Sequence, residues 1–300
     1  MAFASRIVFA ILAGVSSVAA GPIFESRASI STLSAAQVDS YTPYAYYAGA
    51  AYCKPAVTLT WTCGPSCNQT SVSGFKGIAS GGDGTITQSW YVGYDTNLKS
   101  IIVAYQGTIA QNIVPILTDV DIVLDNLDQT LFPGVNSSVK AHDGFTESHK
   151  RSAPAVLAAV KKGIATYSTS QITVVGHSLG GSLAILSSAS LALNIPSASV
   201  KTVSFSPPRV GNLAFADFAN PLADMVRINN KKDFIPILPG RFLGYVHTEG
   251  EIHIADDNTW VSCPGQDNTD PQCTIGTVPN IAAGNFSYHS GPFNGIEIEC

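Results

Sequence analysis

The chain has 300 residues, 45% of them hydrophobic and 12% charged, with a formal net charge of −5. That is ample apolar material for a sizeable core, without the polar, charge-rich bias of a disordered chain. The 16 basic residues form no long run, so the electrostatic footprint of a nucleic-acid binder is absent.

At the N-terminus Arg6 precedes an apolar stretch over residues 7–15, and the small residues Val18, Ala19 and Ala20 follow. This layout predicts a secretory signal peptide over residues 1–20 and an extracellular protein. The stretch is shorter than the ~20 apolar residues a membrane span needs, so no stable membrane insertion is expected. Residues 33–52 carry apolar spacing that suggests helix, limited by Pro43. Ile86, Trp90 and Val92 sit in a β-rich run, and residues 101–105 form a compact apolar strand between Lys99 and Gly107. Helix is predicted over 147–167, a short buried strand over 172–175, and an apolar, small-residue helix over 178–193 that ends before Pro196. Further strands are predicted at 200–204, 225–229 and 251–254. With no repeat, linker or change in composition after the leader, residues 21–300 read as one α/β domain. The expected architecture is a mostly parallel central sheet with helices on both faces.

Six cysteines, Cys53, Cys63, Cys67, Cys263, Cys273 and Cys300, follow the leader. An even number in a secreted chain favours three disulfides, whose connectivity the spacing leaves open. Zinc is the rival reading, but neither the Cys63/Cys67 nor the Cys263/Cys273 spacing has the accompanying histidine pattern. Asn68, Asn136 and Asn285 each open an N-x-[ST] sequon and are glycosylation candidates on surface loops.

The chemistry centres on Gly176-His177-Ser178-Leu179-Gly180. A G-x-S-x-G pentapeptide alone is a soft signal, and an ordinary strand-to-helix turn with a serine cap produces the same letters. Here a buried strand runs straight into it and a helix leaves it, the setting of a nucleophile elbow. A serine hydroxyl needs a base, and the base needs an orienting carboxylate. In this arrangement the acid and then the histidine follow the serine in chain order. Three histidines qualify. His253 reads as one face of the 251–254 strand, His247 as a surface residue in a polar loop, and His289 as the base, in a late loop Ser287-Tyr288-His289-Ser290-Gly291. Asp233 is the best-placed acid, just beyond the 225–229 strand at the sheet edge where α/β sites gather. Asp217, Asp224, Asp256 and Asp257 read as solvated charges. The backbone N–H of Leu179 and the N–H and hydroxyl of Thr108 are the candidate oxyanion donors.

The chain resembles the secreted fungal lipases, the class 3 lipases, a family that also includes feruloyl esterases. Its landmarks are Tyr105-Gln106-Gly107-Thr108, His142-Asp143-Gly144-Phe145, residues 176–181, Pro208-Arg209-Val210-Gly211-Asn212, Asp233-Phe234-Ile235-Pro236 and residues 289–295. The resemblance implies an α/β-hydrolase fold and a triad of Ser178, Asp233 and His289, with oxyanion donors at Thr108 and Leu179. It also implies disulfides Cys53–Cys300 and Cys63–Cys67, which leaves Cys263–Cys273, and a structural role for His142. A short lid follows the oxyanion residue in the family. In this chain it would fall at residues 109–117, where Ile109, Ile113, Ile116 and Leu117 repeat with helical spacing, beside Val114 and interrupted by Pro115.

Two departures touch the substrate rather than the triad: Gln106 stands where an arginine is common, and the lid segment has no tryptophan. Its apolar face favours acylglycerols over phenolic esters. The expected activity is therefore a secreted serine carboxylic ester hydrolase, a monomer meeting lipid or other ester at an oil–water interface. No metal or organic cofactor is implied. A feruloyl-type esterase on the same fold and a catalytically silent secreted binding protein are the alternatives.

Overall fold

The computed structural model describes residue 1 and residues 29–108 and 123–300. The expected leader and the expected lid, with Ile109, Ile113, Val114, Ile116 and Leu117, lie outside the described residues.

In chain order the described strands are β1 (Ser31–Thr32), β2 (Phe75–Gly81), β3 (Trp90–Asp95), β4 (Ser100–Tyr105), β5 (Leu124–Asn126), β6 (Lys140–His142), β7 (Gln171–His177), β8 (Ser199–Phe205), β9 (Gly211–Asn212), β10 (Asp224–Asn230), β11 (Tyr245–Val246), β12 (Glu251–Ile254) and β13 (Trp260–Cys263). The helices are α1 (Ala35–Asp39), α2 (Thr42–Ala50), α3 (Pro55–Leu59), α4 (Asp143–Tyr167), α5 (Leu179–Asn194), α6 (Leu213–Ala219) and α7 (Thr274–Thr277).

Among the described residues the main sheet runs β1-β13-β12-β10-β8-β7-β4-β3-β2. Its centre, β4, β7, β8, β10 and β12, is parallel. The flanks, β2 and β3 on one side and β13 and β1 on the other, are antiparallel. The parallel strands are buried along nearly their whole length, as expected for a sheet covered on both faces. Side chains sort by the two-residue period of the strand. Ile101, Val103 and Tyr105 of β4 pack with Phe145, Val156 and Val160 of α4 and Leu183 of α5. Ile102 and Ala104 face the other way, onto Tyr47 and Ala48 of α2. Each such buried side chain contributes roughly 1.5–3 kcal/mol relative to exposure. A second sheet among the described residues runs β11-β9-β6-β5 and is antiparallel.

Two local expectations need correction. The helix read over 33–52 is two short helices, α1 capped by Ser34 and α2 opening with Pro43 in its first turn. Proline is tolerated there because its missing N–H would have no intrahelical partner, so it restarts the helix instead of merely shortening it. Ile86 is not in a strand. It is largely exposed, in a turn where the Asp83 carboxylate gathers the N–H groups of Thr85, Ile86 and Thr87. The Thr85 hydroxyl, which donates to the same oxygen at 2.7 Å, and those N–H groups hold the Asp83 carboxyl down at about 2.

The disulfides are Cys53–Cys300, Cys63–Cys67 and Cys263–Cys273. The first ties the end of the chain to the loop after α2. The third lies beside Glu251, and these three residues are the one trio of potential metal donors grouped among the described residues. Both of its sulfurs are consumed by the bond between them, which removes them as thiolate ligands. Asn68, Asn136 and Asn285 are exposed, and no helix among the described residues is long and apolar enough to cross a membrane.

Candidate active site

Because β4, β7 and β10 run parallel, the loops leaving their carboxyl ends converge on one edge of the sheet. Those loops carry Thr108, Ser178 and Asp233. The strand β7 ends at His177 and α5 begins at Leu179, leaving Ser178 as the single residue of the turn. Its backbone sits at φ 59°, ψ −131°, a region that ordinary L-residues avoid and that costs on the order of 1–3 kcal/mol. The turn is possible because strand and helix touch at backbone level. A Cβ on Gly176 would lie 2.0 Å from the Gly180 carbonyl oxygen, and one on Gly180 would lie 2.2 Å from that of Tyr105.

The hydroxyl so presented meets a histidine. His289 Nε2 is 2.9 Å from Ser178 Oγ, and His289 Nδ1 is 2.8 Å from Asp233 Oδ2. All three are buried, at 1%, 2% and 0% exposure for Ser178, His289 and Asp233. A carboxylate only accepts, so Nδ1 carries the proton toward Asp233 and the bare Nε2 accepts from the serine hydroxyl. Asp233 Oδ1 accepts the Ile235 N–H at 2.9 Å, which fixes the carboxylate in its turn. Serine, imidazole and carboxylate are thus in hydrogen-bonded sequence, the geometry by which a histidine removes a serine proton.

The loop after β4 brings Thr108, one of the two expected oxyanion donors, alongside the nucleophile turn. A Cβ on Gly107 would lie 3.0 Å from Ser178 Cβ and 2.6 Å from the His177 carbonyl oxygen, so only glycine lets this loop pass the nucleophile. Thr108 follows, with its buried Oγ1 lacking a hydrogen-bond partner among the described residues. Leu179 is the first residue of α5, and its N–H is one of the donors a helix leaves unpaired at its start. Gln106 Oε1 accepts the N–H of Ser89, the residue before β3, at 3.1 Å.

His253, His142 and His247 lie outside the Ser178–His289–Asp233 hydrogen-bonded sequence. His253 is buried, with ring nitrogens 2.7 Å from the Gln272 carbonyl and 2.9 Å from that of Lys231. His142 is buried and stacks on Phe145, and Nδ1 accepts the Gly144 N–H. His247, read from the sequence as a surface residue, is buried with Nε2 donating to the Pro236 carbonyl at 2.7 Å. Burial and the nearby Arg227 and Arg209 hold it neutral, well below the ordinary histidine value. Its loop is drawn inward by Arg209, which donates to Asp267 and to the carbonyls of Ile237 and Pro239, while Asp267 accepts the His247 N–H. Asp217, Asp224, Asp256 and Asp257 are exposed.

The family model described as Lipase (class 3) matches residues 102–243, a span containing β4, Ser178 and Asp233. Over that span the chain is similar to the class 3 lipases. His289 lies beyond the matched span. Over 296 residues the chain is 27% identical to a secreted mono- and diacylglycerol lipase of Malassezia globosa, covering 93% of this chain and 90% of that one. Among solved structures, lipase II from Rhizopus niveus superposes with a TM-score of 0.78 at 26% identity, covering 91% of this chain and 100% of that chain. A lipase from Rhizopus microsporus var. chinensis gives 0.76 at 26% identity, covering 92% and 93%.

Sequence reasoning did not single out His177 and Asn230, which bond the carbonyls of His289 and Tyr288, or Tyr52, which bonds His177. A signal existed for one of them. His177 is a polar side chain at a position that the strand pattern buries, and a buried imidazole requires two partners.

Proposed function

We propose that this chain is a secreted class 3 lipase that hydrolyses acylglycerols, mono- and diacylglycerols among them, through an acyl-enzyme formed on Ser178. The observation that carries the reading is the Ser178–His289–Asp233 hydrogen-bonded sequence at 2.9 and 2.8 Å. His289 takes the Ser178 proton as Oγ attacks the ester carbonyl. The resulting oxyanion lies between the N–H groups of Thr108 and Leu179, and Asp233 stabilises the imidazolium. Collapse expels the glyceride alcohol, which receives the proton from His289. A water, deprotonated by the same imidazole, then attacks the acyl-enzyme and releases the fatty acid with Ser178 restored.

The acyl substrate class rests on the names of the relatives: the aligned Malassezia protein is a mono- and diacylglycerol lipase. A leader over residues 1–20 and a monomeric state complete the proposal. Assays on matched monoacyl, diacyl and triacylglycerols and on a feruloyl ester test it. Glyceride hydrolysis lost in Ser178→Ala is the expected result. Turnover of the phenolic ester alone would overturn the substrate reading, and glyceride turnover surviving Ser178→Ala would overturn the nucleophile.

A further inference from the structure

His289 sits in a loop with no strand or long helix to hold it, only the short 3-10 turn Phe286–Tyr288. An imidazole that must reach both Ser178 and Asp233 needs a fixed backbone, since a displacement of about 1 Å in such a site costs on the order of 10²-fold in rate. Two buried side chains supply that fixity by capturing successive carbonyls. His177 Nε2 is 2.7 Å from the His289 carbonyl oxygen, and Asn230 Nδ2 is 2.9 Å from the Tyr288 carbonyl oxygen. They come from the ends of two strands of the main sheet, β7 and β10, beside the turns that carry Ser178 and Asp233. The loop is therefore gripped by the same strand ends that present its two partners.

The hydrogen-bond chemistry orders the rest. A carbonyl only accepts, so His177 carries its proton on Nε2 and its Nδ1 is bare. Tyr52 Oη lies 2.7 Å from that Nδ1 and must donate to it. The direction is thus Tyr52 O–H to His177, and His177 N–H to the His289 carbonyl. Burial and the neighbouring His289 push His177 well below the ordinary histidine value, so it stays neutral. That neutrality matters because the two imidazoles are 4.6 Å apart, and a charged His177 would oppose the imidazolium that forms on His289.

We infer that His177, oriented by Tyr52, and Asn230 form a two-carbonyl clamp that positions the His289 imidazole between Ser178 and Asp233. The clamp presupposes the triad assigned under Proposed function. These are positioning residues: none of them meets the ester.

The test uses the full secreted chain, a fully dissolved short-chain ester, and active sites counted by an organophosphonate. His177→Leu removes the donor to the His289 carbonyl, and kcat per labelled site should fall on the order of 10²-fold with KM within about twofold. His177→Gln can carry an amide N–H to the same carbonyl and should recover most of the loss. Tyr52→Phe and Asn230→Ala should each lower kcat about tenfold, again without a matching change in KM. Equal losses in His177→Leu and His177→Gln, or wild-type kcat in Tyr52→Phe and Asn230→Ala, would overturn the clamp. Should His177→Leu not fold, the Gln, Phe and Ala variants decide the question without it: wild-type kcat in Tyr52→Phe and Asn230→Ala still overturns the clamp. Failure of the triad itself is separate: it appears as a wild-type enzyme that hydrolyses ester without labelling at Ser178.

Discussion

The two halves of the candidate site are built by different means. The serine half is made of backbone. Ser178 is held by its own strained turn, by Gly176 and Gly180 meeting at van der Waals contact, and by the Gly107 loop alongside. The histidine half is made of side chains. His289 depends on Asn230 and His177 for its loop, on Asp233 for its ring, and on Arg209 and His247 for the loop that follows Asp233. Local steric necessity writes the first half into a few consecutive residues. The second is assembled from positions scattered between Tyr52 and the C-terminal loops, and only the finished fold brings them together. The serine half should therefore break all at once, and the histidine half by degrees.

The largest effect expected is in the reacting groups. Ser178→Ala and His289→Ala should each lower kcat on the order of 10⁶-fold, and the double variant should be little worse, because the pair acts as one unit. Steady-state assays with circular dichroism on each variant check this, and additive losses would separate the two residues. Asp233→Asn keeps the shape of the acid but lets the imidazole choose the wrong tautomer, at a cost of about 10⁴-fold with little change in thermal stability. Gly176→Ala attacks the serine half through its backbone. The new Cβ would overlap the Gly180 carbonyl, so the elbow must open, and a stability loss on the order of 4 kcal/mol or more is expected from chemical denaturation. A well-folded, active Gly176→Ala would show that the turn is less constrained than its contacts require.

The histidine half offers graded losses. Cys53–Cys300 joins residues 247 apart and anchors the C-terminal tail beyond His289. Replacing both cysteines by alanine should cost about 2–4 kcal/mol, read as a lower melting temperature, while the enzyme that remains folded keeps Ser178 reactive. A smaller effect follows from pH. His247 has a folded pKa depressed well below its unfolded value of about 6.5. Above that value both states are neutral and nothing is lost. As pH falls below it, the unfolded chain takes up a proton that the folded chain refuses, and stability drops. Between pH 7 and 5 the loss reaches about 2 kcal/mol for one such group. His247→Gln keeps an amide donor for the Pro236 carbonyl without titrating, so its melting temperature should fall less over that interval than that of the wild type. Parallel curves would exclude His247 as the source.

The same contrast explains what could be read from the letters. Ser178 is legible because its signature is contiguous: an apolar strand, glycines two before and two after, and a small-residue helix. The parallel strands of the domain are legible for a related reason, since apolar runs such as residues 101–105 and 172–175 reflect burial on both faces. His289 is legible mainly through chain order and family resemblance, because three histidines follow Ser178 and the loop around His289 separates it from the others only weakly. His247 is misread for the converse reason. The residues that follow it, Thr248, Glu249 and Gly250, are those of a polar loop, and its burial comes with Arg209 and Asp267, both distant in the chain. Asn230 and Tyr52 leave no local trace, since each is defined by a carbonyl or ring that the fold brings to it.

All of the proposed chemistry depends on Ser178 as a nucleophile activated by His289. Incubation of the secreted protein with an alkyl phosphonate ester, followed by peptide mapping, tests this most directly. One phosphonyl group per chain on Ser178, forming at a rate that collapses in His289→Ala, is the predicted result. Ester hydrolysis by a wild-type protein whose Ser178 stays unmodified, or undiminished labelling without His289, would contradict it.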